Sequence, residues 1–298
     1  MHQALIFDHL RTPRGRGRPD GALHTVTPVS LMAQVLAGLA RRNTLPADAV
    51  DDVVLGCVAP VGEQGADIAR SAALVAGLGQ GVAGVQLNRF CGSGLEAVGT
   101  AAAKVTAGHA DLCMAGGVES MSRVPMGSDG GAWYTDPSVA WATGFVPQGI
   151  SADLLATLHG HSRERLDALA AQSHTRAAAA WGRGAFDASV LPVVDLLGRT
   201  LLGRDETIRA QTTVASMAAL RPSFAELGQN VGFDDVALER YPQLGAIEHR
   251  HHAGNSSAIV DGAAALLIGD EAAGRRRGLT PRARIVMAVA VGSEPTVM

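Results

Sequence analysis

A cysteine at position 91 stands where the extended, apolar-leaning run Val85-Gln86-Leu87-Asn88-Arg89-Phe90 ends. Gly92-Ser93-Gly94 follows it, and then the helix-forming Leu95-Glu96-Ala97-Val98. That order reads as a strand, a tight turn and the start of a helix, with the thiol at the bend. The two glycines permit positive φ and close backbone approach. The unpaired N–H groups and the dipole of a helix start favour a thiolate over a thiol. Cys91 is therefore a candidate activated nucleophile. A buried cysteine beside a helix cap is an equal alternative on local chemistry alone, because free cysteine is among the most buried residue types.

The other two cysteines, Cys57 and Cys113, show no Cys-x-x-Cys spacing with it or with each other. That suits a reducing compartment rather than a disulfide framework. The start, Met1-His2-Gln3-Ala4-Leu5-Ile6-Phe7-Asp8, lacks a signal peptide's charged region and cleavage site. No apolar run is long enough to span a membrane. A cytoplasmic location is expected. Net charge is −3, which argues against a general nucleic-acid binder. Two basic clusters remain, Arg11/Arg14/Arg16/Arg18 and Arg275-Arg276-Arg277. Each is a solvated face, or, for the first, a site for a small polyanion or a partner chain.

The elements that must hold these residues alternate. Strands are expected at 5–7, 51–58, 82–87, 111–117, 264–268 and 282–291. Helices are expected at 28–42, 67–76, 94–107, 151–158, from Ser162 as N-cap to Trp181, and at 271–278. Residues 190–197 read as a strand interrupted by Pro192, and 204–220 as polar and then helical. Strands alternating with helices imply an α/β fold, with a parallel sheet covered by helices. Functional sites in such sheets lie at the carboxyl ends of strands, where Cys91 and Gly116-Gly117 are expected. With 298 residues, 47% apolar but only 4% aromatic, the core must be built from Ala, Val, Leu and Ile. From Ser120 to Gly149 the alternation fails, and an inserted segment is expected from about 119 to 250.

Several stretches together resemble one family. Asn88-Arg89-Phe90-Cys91-Gly92-Ser93-Gly94-Leu95 is similar to the nucleophile motif of the thiolases. Gly116-Gly117-Val118-Glu119-Ser120-Met121-Ser122 resembles their second signature, and Ala253-Gly254-Asn255-Ser256-Ser257 with Asp261-Gly262-Ala263-Ala264 their third. Arg11-Thr12-Pro13 and Leu220-Arg221-Pro222-Ser223-Phe224 also fit, in the expected order. The resemblance implies a thiolase-like layered fold, helices around a mostly parallel sheet. It implies an N-terminal domain at 1–118 and 251–275, an inserted loop domain at 119–250, and the first strand of a C-terminal domain at 276–298.

The resemblance also implies acyl transfer. A 3-ketoacyl-CoA is cleaved by CoA, or two acyl-CoA units are joined, through a thioester on Cys91. Arg209, in Asp205-Glu206-Thr207-Ile208-Arg209, would contact CoA near the nucleotide, and Ser257 would contact the pantetheine arm. Read alone, Arg209 is a surface salt bridge, for instance with Glu206, and Ser257 is a turn hydroxyl. CoA and acyl-CoA are substrates; no permanent cofactor, metal, nucleic acid or membrane is implied, and a homodimer or homotetramer is expected.

The family's Gly-His-Pro motif, Asn-Glu motif and second cysteine in a Cys-x-Gly turn have no match in these residues. His251 and His252, just before the third signature, read as a polar loop pair. The resemblance therefore implies a chain cut at the start of the C-terminal half, with Cys91 short of its usual base. A truncated, catalytically impaired CoA-binding fragment is the first alternative, and a ketoacyl-synthase-type condensing enzyme the second.

Overall fold

The computed structural model describes residues 3–298. The chain divides into two compact units. The first takes the residues up to Asp129, Phe186–Thr207 and Ile259–Val289, and the second Gly130–Ala185, Ile208–Ala258 and Ala290–Met298.

The first unit is an α/β sheet domain. Its main elements are β1 (Leu5–Arg11), α1 (Pro28–Arg42), β2 (Asp52–Gly56), α2 (Ile68–Val75), β3 (Ala83–Leu87), α3 (Ser93–Thr106), β4 (Leu112–Ser120), β5 (Val260–Gly269), α4 (Glu271–Arg277) and β6 (Ala283–Arg284). The strand order is β3-β2-β4-β5-β1-β6, with the short Gly15–Arg16 segment also on β5. β2 runs parallel to β3 and β4, while β5 is antiparallel to both β4 and β1. The sheet is thus mixed, and its parallel side carries the alternating strands and helices legible in the sequence.

Side chains leave β2 alternately on two faces. Val53 and Leu55 join a core with Leu31, Val35, Leu36 and Leu39 of α1 and Ile68, Ala69, Ala72 and Ala73 of α2. Val54 joins Cys113, Ala115 and the α3 residues Ala97, Ala101, Ala102 and Val105 on the other face. All five β2 residues are buried, as expected of a strand covered on both sides. α1 starts where Thr27 accepts a hydrogen bond from Ser30 N and Pro28 opens the first turn. Arg41 and Arg42 close it, and Arg42 Nε donates to the buried Asp8 at 2.7 Å.

Some expectations are corrected. The glycines 116 and 117 lie inside β4, which runs on to Ser120, paired with Ala265 and Ala264. A Cβ on Gly116 would collide with the Ala264 carbonyl oxygen, so that glycine serves strand packing and not a turn. Of 282–291 only Ala283–Arg284 is strand, opposite Ile6 and Leu5. Residues past Ile285 run beyond the amino end of β1, and Val286, Met287 and Val289 are exposed. The segment 190–197 forms a hairpin, Val193–Val194 with Thr200–Leu202. Helix in 204–220 is confined to Val214–Met217.

The second unit is helical, with Gln148–Leu158, Arg163–Gly182 and Phe233–Arg240 as its main helices. Ser162 caps the second of these, accepting from Arg165 N. Its apolar core is small: Val146, Ile150, Leu154, Ala237 and Ile247. Buried charge supplements it. His249 Nδ1 meets Asp153 Oδ2 at 2.9 Å and its Nε2 meets Asp234 Oδ2 at 2.9 Å. Burial works against charge on this imidazole, but the two carboxylates outweigh it and raise its pKa above the ordinary value. Burial likewise opposes ionisation of Asp153. The His251 side chain, the N–H groups of Arg250 and His251, and His249 overcome it, and the carboxyl is held below its usual range. Among the described residues, no helix is long and apolar enough to cross a membrane.

Two outcomes follow for stability. Because His249 binds its proton more tightly folded than unfolded, its contribution is complete below the unfolded value of about 6.5. It is lost as pH rises through the higher folded value, so thermal midpoints should fall on that limb. His249→Gln should flatten the limb in a pH series of thermal melts. At Gly56, a Cβ would lie 2.6 Å from Gly94 N at the start of α3. Gly56→Ala should cost about 1–3 kcal/mol by overpacking. Gly182→Ala, where nothing lies within 4 Å, should cost nothing, and urea titration of the two variants beside the native chain checks the contrast.

Candidate active site

Cys91 follows the carboxyl end of β3 and precedes α3. Local hydrogen bonds build the bend. Asn88 Oδ1 accepts from Phe90 N at 2.8 Å, and Asn88 Nδ2 donates to Val58 O at 3.0 Å. Ser93, buried, accepts from Arg89 N at 2.8 Å and donates to Phe90 O at 2.6 Å. The N–H groups of Gly92 and Ser93 are used inside the turn, on Arg89 O and Phe90 O. Arg89 pairs with Glu96 of α3 at 2.8 Å.

The residue with positive φ is Phe90, at 47°, while Gly92 is at −85°. The glycines were expected to supply that conformation. A non-glycine in the left-handed region is held there by its surroundings, here the Asn88 and Ser93 bonds. The glycine the bend requires is Gly56 on the neighbouring strand, which lets the first turn of α3 rest against β2. Neither Ser93 nor Asn88 stood out in the sequence as a brace. The polar residue two positions before a bend was the available signal.

The three thiols separate clearly. Cys91 is exposed, while Cys57 and Cys113 are buried. Burial, and then the charge of Glu119, pushes the Cys57 thiol up to about 12. Burial and the Asp52 and Asp51 carboxylates do the same to Cys113. The alternative of a buried Cys91 is therefore set aside.

Arg209 and Ser257 belong to the second unit, and both are exposed. Arg209 N donates to His174 Nδ1 at 3.2 Å. Burial and the Arg209 charge hold His174 below the ordinary histidine value. Glu206 is not an Arg209 partner: it meets Arg16 Nε at 2.9 Å. Arg11 and Arg14 are likewise engaged, both on Asp205. These three arginines of the first basic cluster are thus spent on internal carboxylates and do not form an open polyanion site.

The Ser257 turn is anchored by residues that read as a polar loop. His252 is buried, and its Nε2 meets the buried Asp167 Oδ1 at 2.8 Å. Gly254 N donates to His252 Nδ1 at 2.9 Å. Asn255 Oδ1 accepts from His252 N, and Asn255 Nδ2 donates to Asp167 Oδ1 at 2.9 Å. Burial opposes charge on Asp167, but bonds from His252, Arg163 and Asn255 outweigh it and lower its pKa. The Ser256 hydroxyl is buried and finds no partner among the described residues. Asp167 and His174 lie on one helix, two turns apart and so on one face. That helix supports both Arg209 and the Ser257 turn. Among the described residues no group of His, Cys, Asp and Glu is arranged to hold a metal ion.

The family model described as "Thiolase, N-terminal domain" matches residues 4–231. A 3-ketoacyl-CoA thiolase of Enterobacter sp. (strain 638) is 41% identical over 305 aligned residues, covering 100% of this chain and 72% of the relative. A 3-ketoacyl-CoA thiolase of Salmonella typhimurium is 40% identical, with the same coverage. A crystal structure of the Bacillus anthracis acetyl-CoA acetyltransferase matches with a TM-score of 0.79 at 30% identity, over 100% of this chain and 73% of that one. With the fold, the ordered motifs and these matches together, the chain belongs to the thiolase family.

Proposed function

We propose that this thiolase carries an acyl group on Cys91 as a thioester and passes it between CoA thiols. The observation that supports this most is the contrast among the three cysteines. Only Cys91 is exposed, and it stands at a braced strand–helix bend inside the nucleophile motif.

In the degradative direction, the Cys91 sulfur bonds to the C3 carbonyl carbon of a 3-ketoacyl-CoA. The C2–C3 bond then breaks, and its electron pair leaves on C2 as the enolate of acetyl-CoA, which takes a proton. The sulfur of a second CoA attacks the acyl-Cys91 carbonyl, loses its proton and releases the Cys91 thiolate. The reverse sequence is a Claisen condensation. Covalent capture splits one difficult step into two easier ones.

CoA and acyl-CoA are the substrates on this reading, and no permanent cofactor is required. Arg209 offers a planar cation suited to the phosphate-bearing end of CoA, and Ser257 offers a hydroxyl to the pantetheine arm. Assembly as a homodimer or homotetramer in the cytoplasm is the setting that the family resemblance and the three free thiols support.

Incubation with acetyl-CoA followed by peptide mass spectrometry tests the assignment. Acetyl should appear on Cys91 and be absent from Cys57 and Cys113, and Cys91→Ala should reduce labelling to background. An unmodified Cys91 beside a labelled control thiolase would sink the proposal. Arg209→Ala and Ser257→Ala should each raise the half-saturating acetyl-CoA concentration by roughly threefold to tenfold, the scale of one lost polar contact.

A further inference from the structure

We propose that His252 and Asp167 are positioning residues that set the Gly254–Ser257 turn and thereby the affinity for the CoA thioester. The inference rests on the assignment of Ser257 to the pantetheine arm. Its geometry stands apart from that assignment.

Gly254 N–H donates to His252 Nδ1 at 2.9 Å, so that nitrogen carries a lone pair and the ring proton belongs on Nε2. Nε2 lies 2.8 Å from Asp167 Oδ1, which accepts that proton's hydrogen bond. One neutral tautomer therefore serves both ends. The ring acts as a rigid spacer between a helix and the backbone of the turn. Asn255 closes the arrangement with its amide: Oδ1 takes His252 N–H at 2.8 Å and Nδ2 reaches the same Asp167 oxygen at 2.9 Å.

Asp167 is itself fixed. Arg163 Nε donates to its second oxygen at 2.9 Å, and Arg163 Nη2 donates to Met217 O at 2.8 Å. His252 and Asp167 are each 1% exposed, so water cannot substitute for a lost partner. Gly254 has no room for a side chain, since a Cβ there would lie 2.9 Å from His252 Cε1 and from Leu220 Cδ1. The turn is thus held on both sides while Ser257 faces outward. An ordered turn presents its hydroxyl without a further ordering cost on binding. Neither His252 nor Asp167 needs to touch the substrate for this.

The test is the rate of Cys91 acylation against acetyl-CoA concentration, in single turnover, for H252L, H252N and H252Q. H252L removes both bonds and should raise the half-saturating concentration about tenfold, the scale of one unsatisfied buried group, leaving the limiting rate within about twofold. H252N keeps an acceptor near Gly254 N–H and should return half-saturation to within about threefold of the native chain. H252Q reaches Asp167 but not Gly254 and should not restore it. Amide hydrogen exchange over residues 253–257 should accelerate in H252L and H252Q and stay near native in H252N.

An unchanged half-saturation and unchanged exchange in H252L overturn the proposal. So does a loss confined to the limiting rate, or equal behaviour of H252N and H252Q. If H252L does not fold, the contrast between H252N and H252Q decides. If the native chain is not acylated at Cys91, the acyl-transfer reading fails instead. CoA binding by calorimetry in the same variants, with their exchange pattern, then decides the positioning role.

Discussion

The contact on which the Cys91 bend depends is the seating of the first turn of α3 on the glycine backbone at the end of β2. Gly56 leaves no side chain between the strand and Ser93-Gly94. Gly117 stands beside it in register on β4, where a Cβ would lie 2.8 Å from Gly56 O and 3.5 Å from Gly94 Cα. Backbone meets backbone there, and the small α3 residues Ala97, Ala101 and Ala102 continue the close packing over Val54 and Ala115. With the helix seated, the chain between Leu87 and Ser93 must reverse in five residues. Phe90 takes the left-handed conformation, and the thiol of the next residue is carried outward. The exposure of Cys91 is thus a consequence of packing beneath it.

The second unit solves a different problem. Its apolar core is small, and the long helix Arg163–Gly182 buries only Asp167. The segment from Ile247 to Ser257 is held instead by carboxylates on helices, Asp153, Asp167 and Asp234, meeting three histidines and several backbone N–H groups. Breaking one partner of such a buried arrangement costs more than the arrangement contributes, because the remaining group stays desolvated. Directional bonds of this kind specify where a loop sits, which apolar contacts do less well.

Much of the first unit was legible in the sequence because its elements obey local rules. Helix 28–42 was read to the residue from Thr27-Pro28 and the spacing of Leu31, Val35, Leu36 and Leu39. Strands 51–58 and 82–87 stood out as apolar runs bounded by turn residues. The direction of β5 was not legible, because a buried antiparallel strand flanked by partners has the same composition as a parallel one. The strand at 282–291 failed for a non-local reason: β-branched composition shows what could pair, not whether a partner strand extends far enough. In the second unit, His251 and His252 looked like a polar loop pair, at the end of the segment His249-Arg250-His251-His252. Its burial depends on Asp153, Asp167 and Asp234, each distant from the loop or on another element. The thiol at the bend was legible; the braces Ser93 and Asn88, acting through backbone atoms, left only the faint trace of a small polar residue near a turn.

The position of β5 in the sheet bears on how the molecule comes to be folded. Val260–Gly269 lies between β4 and β1, pairing Leu5 with Gly269 and Arg11 with Ala264. The two halves of the sheet share no direct ladder without it. During synthesis β1 is made first and waits with an open edge while roughly two hundred and fifty residues follow. Pairings of such long sequence separation pay their loop-closure entropy before they return any stability, and they slow folding. Until β5 leaves the ribosome, β1 and β4 each expose an unpaired edge, the kind that templates intermolecular strand addition. The charged carboxylate of Asp8 lies within the β1 edge, and an inward-pointing charge there discourages a premature partner.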